Sequence, residues 1–318
     1  MHNILLVSQH LIKGVENKLR LSSLIEKAAG NRKQTVAVAA AEDHEVMDAV
    51  AEAAKRNLAH FKLFGDGEAI EELIYNRNLA AAGGRIEVIH TQTAEAAAEM
   101  AVRAVSQKEA SVLMKGNLST STILKAVLNK DYGLRTGSVL SHAAVFEVPG
   151  YDRLIIITDA AMNIAPDLKQ KEQIINNTVK IARSIGIDNP KVAPIAAVET
   201  VNPSMQATLD AAALAMMNKR GQIRNCIVDG PLALDNAISP AAAEHKGISS
   251  EVAGNADILL VPAIETGNAL YKSLMYFAGA KVGAVIAGAK APIVLTSRAD
   301  SADSKLNSLA LALCSASS

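Results

Sequence analysis

Polar side chains gather at five places where apolar runs end, and their types suit the handling of small anions. Val112-Leu113-Met114 leads into Lys115-Gly116, and the hydroxyls of Ser119, Thr120, Ser121 and Thr122 then open a helical stretch. A lysine, free helix-start N–H groups and hydroxyl donors together suit a phosphate. The glycine spacing of a Walker loop is absent, and Ser119 or Ser121 serves equally as an ordinary N-cap. Arg135 and Thr136 stand between Gly133 and Gly137, as an anion clamp or as a surface turn. Ser141-His142 fall in the next apolar run, where a histidine is either a proton carrier or a satisfied core residue. Asp159 and Asn163 follow Ile155-Ile156-Ile157-Thr158; there they orient a substrate, accept a proton or cap a turn. Asn268 and Lys272, four apart on one helical face, follow Pro262-Ala263-Ile264-Glu265. Finally Val294-Leu295-Thr296 leads into Ser297-Arg298, an oxyanion-binding pair, with Asp300, Ser301 and Asp303 beyond as acids or caps.

In open α/β sheets ligands bind beyond the carboxyl ends of strands, so five such ends in one chain point to a phosphorylated substrate or to phosphate itself. No zinc spacing, no Gly-x-Gly-x-x-Gly and no Gly-x-Ser-x-Gly occurs, and the expected chemistry runs without metal or cofactor.

The elements that must position these residues read as short apolar runs alternating with longer Ala-rich helical segments. Ile4–Val7, 35–38, 61–64, 86–89 and 111–114 read as strands, with a helix at 43–57 whose Val46, Val50 and Ala54 recur every four residues. Strand, helix, strand, helix at this spacing predicts a mostly parallel sheet with helices on both faces. At 139–146 and 154–157 two strand-like runs lie so close together that an antiparallel pair is expected. Alternation then resumes, with helices at 168–184, 206–217, 266–277 and 301–315 and strands at 192–198, 223–228, 258–261, 282–287 and 293–295. No Gly/Ser/Pro linker divides the chain, so two domains would have to share strands or be crossed by a returning chain.

Thirty-two Lys plus Arg balance 32 Asp plus Glu over 318 residues, and nucleic-acid binding, which needs a basic surplus, is not expected. The length suggests about two domains. The 57 alanines suit helices packed closely on a sheet. Met1–Val7 is too short an apolar run for a signal peptide, and nowhere do ~18 uncharged apolar residues run together, so no membrane contact is expected. Cys226 and Cys314 fit no metal spacing and read as small buried apolar residues in a reducing cytoplasm.

At these same stretches the chain resembles the phosphate acetyltransferase/butyryltransferase family, over nearly its whole length and most strongly from Lys115 to Asn307. The matching elements are Asp159 with Asn163, Asp229-Gly230-Pro231-Leu232 continuing to Asp235, Glu265 through Lys272 including Asn268 and Tyr271, and Ser297-Arg298. Lys115-Gly116 with Ser119-Thr120, Leu134-Arg135-Thr136-Gly137, Ser141-His142 and Ser297 to Ser301 are closer to the butyryltransferases. The resemblance implies a two-domain α/β fold similar to isocitrate and isopropylmalate dehydrogenases, with the active site in the cleft between domains. The first domain would comprise 1–136 and 289–318, and the second, 137–288, would join a homodimer.

The implied reaction is acyl-CoA plus phosphate giving acyl phosphate plus CoA, with CoA as substrate rather than cofactor. Arg298, Arg135 and Lys115 would supply positive charge, and Ser297 with Asn268 would donate to the oxyanion or the leaving sulfur. Acetyltransferases of the family place a catalytic aspartate seven residues after the serine, where this chain has Ser304; Asp159, Asp303 and His142 become the candidates for proton transfer. The alternatives are an acetyltransferase, a metal- and NAD-dependent decarboxylating dehydrogenase on the same fold, and a catalytically silent CoA-binding module.

Overall fold

The computed structural model describes residues 19–30, 34–79, 86–296 and 300–316. The strand expected at Ile4–Val7 lies outside them. The first half runs α1 (Leu21–Gly30), β1 (Gln34–Ala39), α2 (His44–Lys55), β2 (Ala59–Gly65), α3 (Gly67–Asn76), β3 (Ile86–His90), α4 (Ala94–Ser106), β4 (Val112–Lys115) and α5 (Thr120–Val127). Then follow β5 (Ser141–Glu147), β6 (Leu154–Thr158), α6 (Leu168–Ser184), β7 (Lys191–Pro194), α7 (Gln206–Lys219), β8 (Ile227–Val228), α8 (Leu234–Ile238) and α9 (Pro240–His245). The last elements are β9 (Ile258–Leu260), α10 (Ile264–Tyr276), β10 (Lys281–Ala287), β11 (Ile293–Val294) and α11 (Ala302–Ala316). Among the described residues no helix is long and apolar enough to cross a membrane.

The strands form one 11-stranded sheet in the order β3-β2-β1-β4-β11-β10-β5-β6-β9-β7-β8. The mixed, mostly parallel α/β expectation holds, in a single sheet. Its pairings are parallel except at the centre, where β11–β10, β10–β5 and β5–β6 are antiparallel. The β5–β6 pair is the one its short connection predicts. The long β10–β5 ladder, from Lys281↔Glu147 to Ala287↔Ser141, joins segments far apart in sequence and leaves no local signature. Strands from the chain ends, β1–β4 and β11, lie side by side, and those from the middle occupy the rest of the sheet.

Parallel strands covered on both faces must be apolar throughout, and β4 and β6 are buried at every position. One face carries a single continuous core, in which Val38, Met114, Val145, Ile156 and Ile258 pack with Leu24, Val50, Ile174 and Leu309 of the helices. The opposite face carries two separate cores. Leu113, Ile286 and Ile293 pack with Ala101 and Ile123 of α4 and α5; Ala144, Phe146, Ile157 and Leu259 pack with Ala237 and Ala243 of α8 and α9. The seam between these two cores crosses the middle of the sheet where His142 pairs with Ile286.

Two expectations change in detail. The run at 223–228 contributes only Ile227–Val228 to the sheet. The Asn218 amide donates to the carbonyls of Ile223 and Cys226, both at 3.0 Å, and turns the chain before the strand. Residues 192–198 leave the sheet at Pro194 apart from a bridge between Ile195 and Leu232.

α6 and α7 are tied by a buried ion pair, Lys171 Nζ to Asp210 Oδ2 at 2.5 Å, with the Gln206 amide on the other carboxylate oxygen at 2.8 Å. Removing one partner of such a pair leaves an uncompensated charge, whereas replacing both with apolar groups is often neutral. Lys171→Met is therefore expected to cost about 3–5 kcal/mol in urea unfolding. The double replacement Lys171→Met with Asp210→Leu should recover most of it; equal losses in both variants would rule this account out.

Candidate active site

β6 ends at Thr158, and the chain turns at once around Asp159, which is 2% exposed. One carboxylate oxygen accepts the backbone N–H groups of Ala161 and Met162, both at 2.9 Å. The other accepts the Asn163 amide at 2.6 Å, and that amide also donates to the Leu140 carbonyl at 2.8 Å. Asp159 thus caps its own turn and also ties it to the segment entering β5. The Thr158 hydroxyl donates to the His142 carbonyl at 2.8 Å and accepts from Thr178 at 3.1 Å, holding the backbone of His142.

His142 lies on the seam. Its ring centroid is 6.0 Å from that of Tyr271 on α10, which meets Phe146 edge-on at 5.1 Å. The residue is 8% exposed, and Nδ1 is buried without a hydrogen-bond partner among the described residues. Burial lowers the imidazole pKa below its ordinary value, against the opposing pull of the Asp159 and Asp300 carboxylates. His142 is therefore neutral at pH 7. Burial, aided by the Asp300 charge, raises the Tyr271 phenol, which stays a hydroxyl donor.

α10 approaches this turn closely because residue 267 is glycine. A Cβ there would stand 2.7 Å from the Asp159 carbonyl oxygen and 2.8 Å from the Ala160 Cα. Gly267→Ala is expected to lose about 1–3 kcal/mol, the usual cost of overpacking. Thermal unfolding reads it; an unchanged midpoint would mean that the helix shifts freely.

The other candidates fall around this centre in different ways. Lys115 closes β4, is buried, and donates to the Gly116 carbonyl at 3.2 Å. Gly116 packs so tightly that a Cβ would overlap the Ala40 carbonyl oxygen. Ser119 is the N-cap of α5, accepting the Thr122 N–H at 3.0 Å, and Thr120 is exposed beside it. Arg135 is exposed and its backbone bridges Ala289 in the β10–β11 turn, at the amino end of β11; Lys115 marks the carboxyl end of the parallel neighbour β4. The Thr136 hydroxyl donates to the Gly288 carbonyl. Asn268 and Lys272 are exposed on α10, with Lys272 Nζ 5.6 Å from the Tyr271 ring centroid. Asp303 is exposed in the first turn of α11. Ser297 and Arg298 lie outside the described residues.

Two residues carry more here than their sequence context suggests. The acid after β11 whose charge reaches both His142 and Tyr271 is Asp300. Lys305, 2% exposed, donates to Glu45 at 2.7 Å and to the Asp300 carbonyl, so α11 and α2 anchor the start of this segment. A lysine in an amphipathic helix reads as solvent-facing, and no local signal marks it as buried.

A buried neutral imidazole beside a phenol donor, under the charges of two carboxylates, can move one proton between reactants. A family model described as phosphate acetyl/butaryl transferase matches residues 79–313. Over 296 residues the chain is 59% identical to a Bacillus subtilis protein named "Probable phosphate butyryltransferase", covering 93% of this chain and 98% of that one. It is 50% identical over 291 residues to a phosphate butyryltransferase of Clostridium acetobutylicum, covering 92% and 96%. The crystal structure of a branched-chain phosphotransacylase from Enterococcus faecalis matches with a TM-score of 0.78 at 35% identity, covering 89% of this chain and 99% of that one.

Proposed function

The chain belongs to the phosphate acetyl/butaryl transferase family, and on that premise we propose that it converts butyryl-CoA, or a similar short or branched acyl-CoA, and phosphate to acyl phosphate and CoA. The observation that carries the assignment of roles is the neutral His142 on the seam, facing Tyr271 and under the charges of Asp159 and Asp300.

The chemistry asks for little more. Hydrogen phosphate attacks the thioester carbonyl through an oxygen, the carbon–sulfur bond breaks, and the proton lost by phosphate ends on the CoA sulfur. A neutral imidazole takes that proton and returns it, so His142 is assigned the transfer. Arg135 and Lys115, which mark opposite ends of neighbouring strands, are assigned with Arg298 to the negative charges of phosphate and CoA rather than to one shared phosphate. Ser297 and Asn268 are assigned to the carbonyl oxygen or departing sulfur as donors. Asp159 and Asn163 are positioning residues, because both Asp159 oxygens are engaged within the protein. Direct transfer needs no acyl-enzyme, and Cys226 and Cys314 are both buried.

The same reading divides the molecule into 1–136 with 289–318 and a middle part, 137–288, with the reaction at their junction. The grouping of chain-end strands apart from middle strands supports it. Homodimerisation through the middle part is supported by Phe277, 92% exposed just past α10; sedimentation velocity tests it, and a monomer at micromolar concentration would remove it.

Thiol release from acetyl-, butyryl-, isobutyryl- and isovaleryl-CoA, with and without phosphate, tests the function. Release is expected only with phosphate, and faster from the four- and five-carbon chains than from acetyl-CoA. Phosphate-independent release, or none from any thioester, would overturn the reading.

A further inference from the structure

A groove of about 440 Å³ opens at the amino ends of β4 and β11, where Ser111 and Pro292 stand. Its size lies in the range of small-molecule sites, about 300–1,000 Å³. Lys108, Lys180 and Lys290 converge on it from three separate segments, beside the hydroxyls of Ser111, Thr136, Ser138 and Ser315, and among the described residues no carboxylate side chain lines it. None of the three lysines pairs with an acid among the described residues; Lys290 Nζ donates to the Gly133 carbonyl at 3.3 Å. The carboxyl ends of α4 and α11 border the groove, and each presents about half a negative charge. Three lysines less those two helix ends leave about two positive charges, near the roughly −1.5 to −2 of a phosphate monoester at pH 7.

We propose that this groove binds a phosphorylated effector of nucleotide size, separately from the reaction site. The phosphates would lie among the lysines, and the apolar lining, which includes Ile181 and Pro292, would take the remainder. Among the described residues no aromatic ring lines the groove, so the phosphate chain rather than base stacking sets the affinity.

The groove wall leads directly to candidate catalytic residues. Lys290 N donates to the Leu134 carbonyl at 2.8 Å, and Arg135 bridges Ala289. The Asn177 amide, in the wall, donates to the Val139 carbonyl at 2.9 Å and to the Ser141 hydroxyl at 3.0 Å. The segment from Leu134 to His142 therefore has the groove on one side and the seam on the other. A bound anion that favours one arrangement of this segment alters turnover through Arg135 and His142.

Calorimetric titration of the full chain with ADP and with pyrophosphate tests the proposal. Saturable binding of both is expected, weakening as salt rises. The variant Lys108→Ala with Lys180→Ala and Lys290→Ala should bind ADP at least tenfold more weakly, with turnover in the absence of ADP within twofold of the parent. Lys180→Ala alone, an exposed helix-surface change, should show a graded part of that loss. Three results would each overturn the proposal: no saturable binding, unchanged affinity in the triple variant, or complete displacement of ADP by CoA, which would place ADP in the substrate's nucleotide subsite. All of these readings are independent of which acyl-CoA the enzyme prefers.

Discussion

His142→Gln is expected to lower phosphate-dependent release of CoA from butyryl-CoA by about 10²–10⁴-fold, the usual contribution of a positioned acid–base group. Glutamine fills a similar space and can still hydrogen-bond, but it cannot take up and return a proton at neutral pH. The parent enzyme should keep its activity at pH values below the ordinary histidine pKa of about 6.5, because burial holds the imidazole neutral there. Activity then falls as the pH drops through the lowered value and the ring protonates. Stability follows the same sign. Below about 6.5 the unfolded chain takes up a proton that the folded ring refuses, so stability declines with falling pH until the folded pKa is passed. His142→Gln should remove both the acid limb of the rate profile and this part of the stability slope. Near-normal turnover in the variant, with an unchanged acid limb, would return His142 to the role of a core residue.

Asp159→Asn is expected to lower turnover by about one to two orders of magnitude, within the range reached by misplacing a reacting group. It should also shift the acid limb to lower pH. The direction follows from the charge, since the Asp159 carboxylate favours the protonated imidazole and its loss removes that pull. The amide also faces donors on every side. Its NH2 would meet either the Asn163 amide or the N–H groups of Ala161 and Met162. Leaving such donors unpaired costs about 1–3 kcal/mol, measurable by urea unfolding. Asn163→Ala is the matching control, keeping the charge while releasing the turn, and should lower the rate with the acid limb in place. If Asp159→Asn also left the limb in place, Asp159 would act through local structure alone, and the field at His142 would belong to Asp300.

Much of the molecule is legible along the chain. The helix expected at 168–184 is α6 residue for residue, because Asp167 and Gln170 form a capping box and Ile174, Ile175, Val179, Ile181 and Ala182 keep a helical apolar spacing behind it, interrupted by the buried polar Lys171, Asn177 and Thr178. The polar turns after β4 and β6 stand where apolar runs end, since a buried strand can carry polar side chains only where it leaves the sheet. The order of motifs from Lys115 to Ser297-Arg298 placed the chain in its family, because a phosphate and a thioester ask for the same residue types in any member.

Tertiary structure alone decided which of these meet. Periodicity records that a side chain is buried and on which face of its own element, but not its partner across the fold. His142 and Tyr271 are 129 positions apart and meet only because β10 inserts between β11 and β5 and brings α10 over the sheet centre. The acid that reaches the imidazole from the last loop is Asp300, while Asp303 turns outward once α11 has begun. Lys305, charged and nearly inaccessible, is tolerated only because Glu45 from a distant helix and the Asp300 carbonyl solvate its ammonium. The sequence by itself determined the residue types, the elements and the family. The register of the central antiparallel strands decided which polar ends share one seam, because long-range strand pairing is set by how buried side chains pack and not by any local pattern.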